Sequence, residues 1–296
     1  MIWKSLLMLP LFSTYAAAQQ APSIFQVPNG AGTLHTMVTG ESEETVILLH
    51  GGPGLPGDLN AVVNQLSSEY RVIVFHQRGT ALSPCPSDDY SMDAYLSDID
   101  AIAAYFKIEK FHLFGHSWGG LYAQMYMERH PERLLSVFLC SPGSGTGAQW
   151  KQTQREVMKL NQSRCSRGQW MRMGWNNLLG MLGSDKGYAR LFEQVMKNYN
   201  HGFVDDGVVN FDQVRARAIN RTMPEITRYP ELKGIALPLF PITISYGDND
   251  IYQASQDFVL QRYPSAQVHF IPRSGHIPWL HNPAAYFEVL SGHFQR

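Results

Sequence analysis

The sequence contains a Gly-x-Ser-x-Gly element at residues 115–119, which has Ser117 at its centre. An apolar run at 111–114 precedes the element, and residues 121–129 follow it with helical composition. Strand, Gly-x-Ser-x-Gly and helix in succession form a sharp turn that presents the serine at its tip. The N-terminus of the following helix favours negative charge near this serine. The spacing therefore predicts a nucleophilic Ser117.

Two further side chains are candidates for activating this serine. A serine hydroxyl needs a base within hydrogen-bond reach and a third group that orients the base. His276 follows an apolar run at 268–271, and Asp250 follows another at 242–246. We assign His276 as general base and then general acid, and Asp250 as the group that orients its imidazole. Asp248 is the alternative acid, but a Gly247-x-x-Asp250 turn returns the later carboxylate toward the histidine.

A nucleophilic serine also needs hydrogen-bond donors for a developing oxyanion. The backbone N–H of Trp118, directly after the nucleophile, is one candidate, and that of Gly52 is the other. Gly52 lies in the loop at 50–54, where three glycines and a proline let the backbone approach a ligand closely. We assign Gly51 and Trp175 to substrate binding.

Predicted strands and helices alternate along most of the chain. Apolar runs predict strands at 23–27, 33–38, 45–49, 71–75, 111–114, 134–140, 242–246 and 268–271. Helical patterns occur at 59–66, 92–105, 121–129, 256–263 and 283–294, and again at 150–160, 167–182, 188–199 and 211–219. The alternation predicts an α/β fold with a mostly parallel sheet and helices on both faces. Ser117, Asp250 and His276 then share the edge formed by the carboxyl ends of the strands.

Composition excludes some classes of protein. The 296 residues carry a formal net charge of −1 and no basic run, so we expect no nucleic-acid partner.

Residues 1–18 combine one lysine, a short apolar run and three alanines. This pattern predicts a cleaved signal peptide, export to the periplasm or medium, and no stable membrane anchor. Of the three cysteines, Cys140 is predicted to be a buried thiol. Cys85 and Cys165 are candidates for a disulfide in an oxidising compartment, a pairing that the sequence by itself leaves open.

Three motifs in order carry a family resemblance: residues 50–54 (His-Gly-Gly-Pro-Gly), 77–79 (Gln-Arg-Gly) and 115–120 (Gly-His-Ser-Trp-Gly-Gly). Together they resemble the α/β-hydrolase superfamily and, within it, the proline iminopeptidase group of serine peptidases. The resemblance implies an eight-stranded sheet, a core at 19–145 and 236–296, and a helical cap at 146–235 inserted after the sixth strand. It also implies an aminopeptidase whose glycine-rich loop stabilises the oxyanion. The chain departs from the family pattern at His76, Ala81 and His281, where relatives usually carry Asp, Gly and Glu.

Two hypotheses about the function share every catalytic residue. The first is an aminopeptidase on short peptides, in which a buried carboxylate offsets the desolvation of the substrate's ammonium group. The cap acids that can serve are Glu156, Asp185, Glu193, Asp205, Asp206, Asp212, Glu225 and Glu231. The second is a hydrolase of small esters, lactones or other amides. A non-catalytic binding protein on the same scaffold is a third hypothesis. None of these requires a metal or an organic cofactor.

Overall fold

A computed structural model describes residues 21–30, 32–203 and 211–295. The predicted signal peptide and the two cap acids Asp205 and Asp206 lie outside these residues. The strands are β1 (Ser23–Asn29), β2 (Gly32–Thr39), β3 (Thr45–Leu49), β4 (Arg71–Phe75), β5 (Phe111–His116), β6 (Leu134–Cys140), β7 (Ile242–Gly247) and β8 (Gln267–Ile271). The helices are α1 (Asn60–Leu66), α2 (Met92–Tyr105), α3 (Trp118–Arg129), α4 (Gly147–Ser163), α5 (Arg167–Met181), α6 (Asp185–Tyr199), α7 (Ala216–Arg228), α8 (Gln256–Arg262), α9 (Pro278–His281) and α10 (Pro283–Phe294).

The strands form one eight-stranded sheet in the order β1-β2-β4-β3-β5-β6-β7-β8. β1 pairs antiparallel with β2, and β2 antiparallel with β4, whereas all later pairings are parallel. The predicted mostly parallel sheet is therefore confirmed. Every residue of β3, β5 and β7 is buried, as expected for parallel strands covered on both faces.

Two apolar clusters lie on opposite faces of this sheet. Along β3, Ile47 and Leu49 join the cluster that includes residues of α2 and α3, whereas Val46 and Leu48 join the cluster that includes α1 and α10. This alternation follows from the two-residue period of a strand. The sheet is therefore anchored from both sides, and the loops at the carboxyl ends of β3, β5, β6, β7 and β8 extend from a rigid edge.

In the described part of the chain between β6 and β7 lie four α-helices, α4 to α7, as expected for a cap inserted after the sixth strand. The boundaries of the cap as a domain stay a prediction. One predicted helix is wrong in its limits. Residues 211–213 form a single 3-10 turn, and α7 begins at Ala216 and continues past Pro224 to Arg228. The proline lies in the helix although it removes one backbone donor, and α7 buries Ala218, Thr222 and Ile226, so its packing outweighs that loss.

Candidate active site

Ser117 sits at the strained turn that joins β5 to α3. Its φ and ψ are 55° and −117°, a region that residues with a side chain rarely adopt. The flanking glycines have no room for a side chain. A Cβ at Gly119 would lie 2.1 Å from the carbonyl oxygen of Leu49, and one at Gly115 would lie 2.4 Å from that of Gly119. The predicted sharp turn at residues 115–119, the elbow, is therefore present, and backbone contacts hold it in place.

His276 and Asp250 lie in line with this serine. The Oγ of Ser117 is 2.9 Å from Nε2 of His276, and Nδ1 of His276 is 3.1 Å from Oδ1 of Asp250. The side chains of His276 and Asp250 are almost completely buried. The structure thus brings together the three side chains predicted from the sequence, in the geometry of a nucleophile, a base and an orienting carboxylate.

The Asp250 carboxylate is held ionised by its surroundings. Burial alone raises its pKa, but the positive charge of a protonated His276 and three hydrogen bonds outweigh this effect and leave the pKa below its usual value. Oδ2 accepts a hydrogen bond from the Ser141 hydroxyl at 2.5 Å, and Oδ1 accepts one from the backbone N–H of Tyr252 at 3.1 Å. An ionised Asp250 fixes the imidazole so that Nδ1 is protonated and Nε2 faces the serine.

Asp248 has a different position and a different contact set. Its carboxylate accepts hydrogen bonds from the backbone N–H groups of Arg273 (2.9 Å) and Ser274 (3.1 Å) and from the Asn249 side chain. These residues form the loop that leads to His276, so Asp248 ties the turn after β7 to the turn after β8. Burial raises the pKa of this carboxyl, but the hydrogen bonds outweigh it and lower the pKa overall.

The loop at residues 50–54 packs beside the serine. A Cβ placed on Gly51 would lie 3.2 Å from the Cβ of Ser117, and Gly52 adopts a φ of +64°. None of the described residues accepts a hydrogen bond from the backbone N–H of Gly52 or Trp118. Both N–H groups are therefore without an acceptor among the described residues, and their role as oxyanion donors stays a prediction.

A chain of hydrogen bonds links that loop to the elbow. Gln77 donates from its side chain to the carbonyl of His50 at 2.8 Å and accepts from the indole N–H of Trp118 at 2.7 Å. The imidazole of His50 accepts from the backbone N–H of Gln77 and donates to the carbonyl of Gly51. Complete burial lowers the pKa of His50 to about 4, so the ring is neutral near pH 7. These bonds hold the two candidate oxyanion donors in a fixed relation.

Three residues of the site were not predicted from the sequence. Ser141 binds Asp250, the Tyr252 hydroxyl lies 3.2 Å from the Oγ of Ser117, and Nε2 of His116 donates to the carbonyl of His276 at 2.9 Å. One signal was available for Ser141, because it follows β6 directly and hence lies at the same sheet edge. No comparable pattern marks the other two.

A cavity of about 540 Å³ opens above Ser117, between the core and the four cap helices. Its lining is mostly apolar. The cap contributes Trp150 from α4, Met173 from α5, Phe192 from α6 and Met223 from α7, and the core contributes Trp118, Tyr252, His276 and Trp279 among others. Gly51 and Gly52 also line it, and their contact with a substrate stays a prediction.

Trp175 does not line the cavity, and its assignment to substrate binding needs correction. Its side chain is exposed on the outer face of α5. The reason is helical periodicity. Met173, Asn176 and Gly180 form the buried side of α5, and Trp175 lies on the opposite side of the same helix. Trp170, one turn earlier, does line the cavity.

The cap carboxylates that the structure describes do not line the cavity. Among the described residues that line it, Asp58 is the sole acidic side chain, and it is exposed. Glu156, for example, accepts backbone hydrogen bonds from Gln253 and Ser255 instead. In the ranges described, no cluster of His, Cys, Asp or Glu could hold a metal ion.

These features agree with comparisons against known proteins. Residues 44–283 match the family model described as alpha/beta hydrolase fold. The chain belongs to the α/β-hydrolase family. This match covers most of the chain, and it includes the serine, the aspartate and the histidine.

Relatives within the family include proline iminopeptidases. The chain is 32% identical over 138 residues to a proline iminopeptidase of Lactobacillus helveticus, and the match covers 44% of this chain and 47% of that protein. One from Clostridium botulinum is 30% identical over 125 residues, covering 41% and 43%. The chain thus matches about half the length of these curated relatives. Together with the family match, these relatives support the assignment of the chain as a hydrolase.

Solved structures share the fold over nearly the whole chain. VinJ superimposes with a TM-score of 0.70 at 19% identity, covering 93% of this chain and 99% of that one. A thermophilic esterase from Thermogutta terrifontis gives a TM-score of 0.65 at 17% identity, covering 93% and 98%. At these identities the likeness establishes the α/β-hydrolase fold alone.

The three departures from the family pattern have structural consequences. His76 stacks on His35, and burial with the neighbouring imidazoles lowers its pKa to about 4. Ala81 has a φ of 46°, where a glycine would be unstrained. Nδ1 of His281 accepts a hydrogen bond from the backbone N–H of Gly275, and Phe203 stacks on its ring. His281 therefore links the loop of the candidate base to the turn that follows α6 in the cap.

The cysteines are all free in the structure. Cys140 is buried at the end of β6, as predicted, and burial raises the pKa of its thiol to about 12. Cys165 lies against Met173 and Asn198 in the cap, whereas Cys85 lies near Ser87 and the backbone of Asp89. Within the described chain, no helix has the length and apolar character needed to cross a bilayer.

Proposed function

We propose that this α/β hydrolase is a serine hydrolase that cleaves carboxylic esters, lactones or amides carrying a bulky apolar acyl group. The observation that carries the proposal is the alignment of Ser117, His276 and Asp250, at 2.9 and 3.1 Å, at the base of an apolar cavity. A cavity of about 540 Å³ lies in the range that encloses a drug-sized molecule.

The reaction follows from the geometry. His276 Nε2 takes the proton of Ser117 as Oγ attacks the carbonyl carbon, and Asp250 stabilises the imidazolium that forms. The backbone N–H groups of Gly52 and Trp118 donate to the oxyanion of the tetrahedral intermediate. As the intermediate collapses, Nε2 gives the proton to the leaving oxygen or nitrogen, and an acyl-serine remains. Water then attacks the carbonyl carbon of the acyl-serine and gives a proton to His276. The second tetrahedral intermediate collapses, His276 returns the proton to Oγ of Ser117, and the carboxylic acid and the free serine are released.

Tyr252 adds a donor on the cavity side of the serine. Burial raises the pKa of its phenol above the ordinary value, so the hydroxyl stays protonated throughout the neutral range. At 3.2 Å from Oγ of Ser117 it can donate to that oxygen in the resting enzyme. When the serine is acylated, the same hydroxyl can donate to a substrate oxygen instead.

The lining favours an uncharged acyl group. A substrate ammonium enclosed in the cavity would lose its hydration, and a buried carboxylate would be needed to offset this cost. Among the described lining residues, Asp58 is the sole carboxylate, and it stands exposed at the loop after residues 50–54. An apolar acyl chain meets aromatic and methionine side chains from all four cap helices.

A second candidate is an aminopeptidase of the proline iminopeptidase type. The half-length similarity to proline iminopeptidases and the motif at residues 50–54 favour it. In this candidate Asp58 binds the substrate's free amino group at the edge of the cavity. The two candidates share the catalytic residues and differ in what the cavity accepts.

Hydrolysis of matched chromogenic substrates separates the candidates. The set contains prolyl and alanyl arylamides with free amines, their N-acetylated forms, and aryl esters of increasing acyl length. We expect turnover of the esters to rise with acyl length, and Ser117→Ala to abolish it. Activity on the free-amine arylamides that is lost on acetylation, and reduced by Asp58→Asn, would favour the aminopeptidase. Substrate binding without turnover by the unaltered protein would instead indicate a non-catalytic binding protein.

A further inference from the structure

Helix α5 presents an apolar stripe to solvent. Four residues spaced at i, i+4, i+7 and i+11 are exposed by 70%, 60%, 46% and 78%: Met171, Trp175, Leu178 and, just after the end of the helix, Leu182. The spacing places them on one side of the helix, opposite its buried side. An ordinary surface helix carries polar residues at these positions. We call these four residues the α5 stripe.

Two arginines of the same helix lie close to the stripe. Arg167 lies one turn before Met171, and Arg172 lies beside it; both are exposed. None of the ion pairs between described residues involves either arginine. Residues 151–190 contain eight Lys and Arg but two Asp and Glu, a formal charge of +6 in a chain whose total is −1. The stretch of the cap sequence that contains the stripe is thus strongly cationic, and the remainder of the chain is anionic.

The combination of charges and apolar groups selects the occupant of this surface. A row of large apolar side chains exposed together marks an interaction site. A second copy of the chain, seated symmetrically, would place two cationic segments against each other, which opposes the contact. An anionic bilayer surface offers both an apolar interior for the stripe and negative headgroups for the flanking arginines. Tryptophan is also enriched at the depth where such a helix would lie.

We propose that the α5 stripe docks this hydrolase reversibly on anionic lipid membranes, with α5 lying in the plane of the interface. The same helix lines the cavity with Trp170, Met173, Gly174 and Asn177. Docking therefore places an apolar cavity next to the lipid phase, from which acyl substrates can enter. The docking itself rests on the stripe and the charges, and it is independent of the proposed catalytic mechanism.

Co-sedimentation of the full-length protein with vesicles tests the proposal. One set of vesicles is pure phosphatidylcholine, and the other contains about one-third phosphatidylglycerol, which supplies a negative surface. We expect binding to the anionic vesicles, weakening as salt screens the charges. Ser117→Ala should bind equally well, so that failure of the catalytic proposal and failure of docking are separate results.

Variants at the stripe and at its margins identify the surface that binds. Trp175→Ser with Leu182→Ser should weaken binding by at least about tenfold, because two large apolar groups no longer enter the lipid. Arg167→Gln with Arg172→Gln should weaken it by about thirtyfold on the anionic vesicles. None of these four residues lines the cavity, so hydrolysis of a soluble short-chain ester should be unchanged.

A matched control uses apolar residues elsewhere on the surface. Leu237 and Leu239 are exposed by 86% and 94%, outside the cationic segment, and their replacement by serine should leave binding unchanged. The proposal would be overturned if the unaltered protein failed to bind anionic vesicles, or if the control pair lost binding as the stripe pair did. A dimer in solution would also overturn it if Trp175→Ser converted the dimer to a monomer and neither form bound vesicles. The stripe would then be the interface between two copies of the chain.

Discussion

Removal of the Ser141 hydroxyl is the most informative perturbation of the candidate site. This hydroxyl donates to Oδ2 of Asp250 at 2.5 Å, and both side chains are buried. A hydrogen bond to a charged group contributes about 1.5–3 kcal/mol, and in Ser141→Ala the buried oxygen keeps its charge but loses this donor. We therefore expect the free energy of unfolding to fall by about 2 kcal/mol near neutral pH.

The pH dependence of that loss distinguishes it from a packing defect. Asp250 has a lowered pKa in the folded protein, so its bonds stabilise the fold above the pKa of an unfolded aspartate, and this stability is lost as pH falls through the folded value. The deficit of Ser141→Ala should therefore be constant from about pH 5 to 8 and shrink below about pH 4. A cavity or packing defect would persist at all pH values.

Urea unfolding at several pH values measures this effect, and ester hydrolysis accompanies it. The turnover of Ser141→Ala should fall by less than about tenfold, because Oδ1 of Asp250 still holds the imidazole. Ser255→Ala is the matched control, since that serine is equally buried and its hydroxyl has no hydrogen-bond partner in the described part of the chain. Equal losses in the two variants, or a pH-independent deficit, would refute the reasoning.

Three further predictions concern the acid, the buried imidazole and the elbow. Asp250→Asn should reduce turnover by about 10⁴, and Asp248→Asn far less, in steady-state assays; the reverse ranking would reassign the acid. Burial lowers the pKa of His116 to about 3, so from about pH 7.5 to 5.5 the unfolded state gains a proton and stability falls by about 1.4 kcal/mol. His116→Gln should remove that fraction of the slope in denaturation curves. Gly119→Ala should cost more than about 3 kcal/mol because its Cβ meets backbone, whereas Gly292→Ala, in open space, should not destabilise.

Much of the site was predictable because it depends on local rules. The elbow at Ser117 is defined by glycines within two residues of it, and His276 and Asp250 each follow an apolar strand. Parallel strands bring their carboxyl ends to one edge, so the periodicity of the strands was enough to predict that these residues meet. The eight strands and the helices between β6 and β7 were confirmed for the same reason.

Contacts between residues far apart in the chain depend on how the elements pack, so the sequence pattern did not reveal them. Ser141 and Asp250 are 109 residues apart, and Ser117 and Tyr252 are 135 apart, so no local pattern records either contact. The exposed position of Trp175 had the same origin, since helical texture predicts an amphipathic helix but does not say which side packs. The amino-acid pattern specifies which residues share a strand edge or a helix face. The packing of one element on another decides which of those faces is buried, which hydroxyl reaches the carboxylate, and which apolar row remains at the surface.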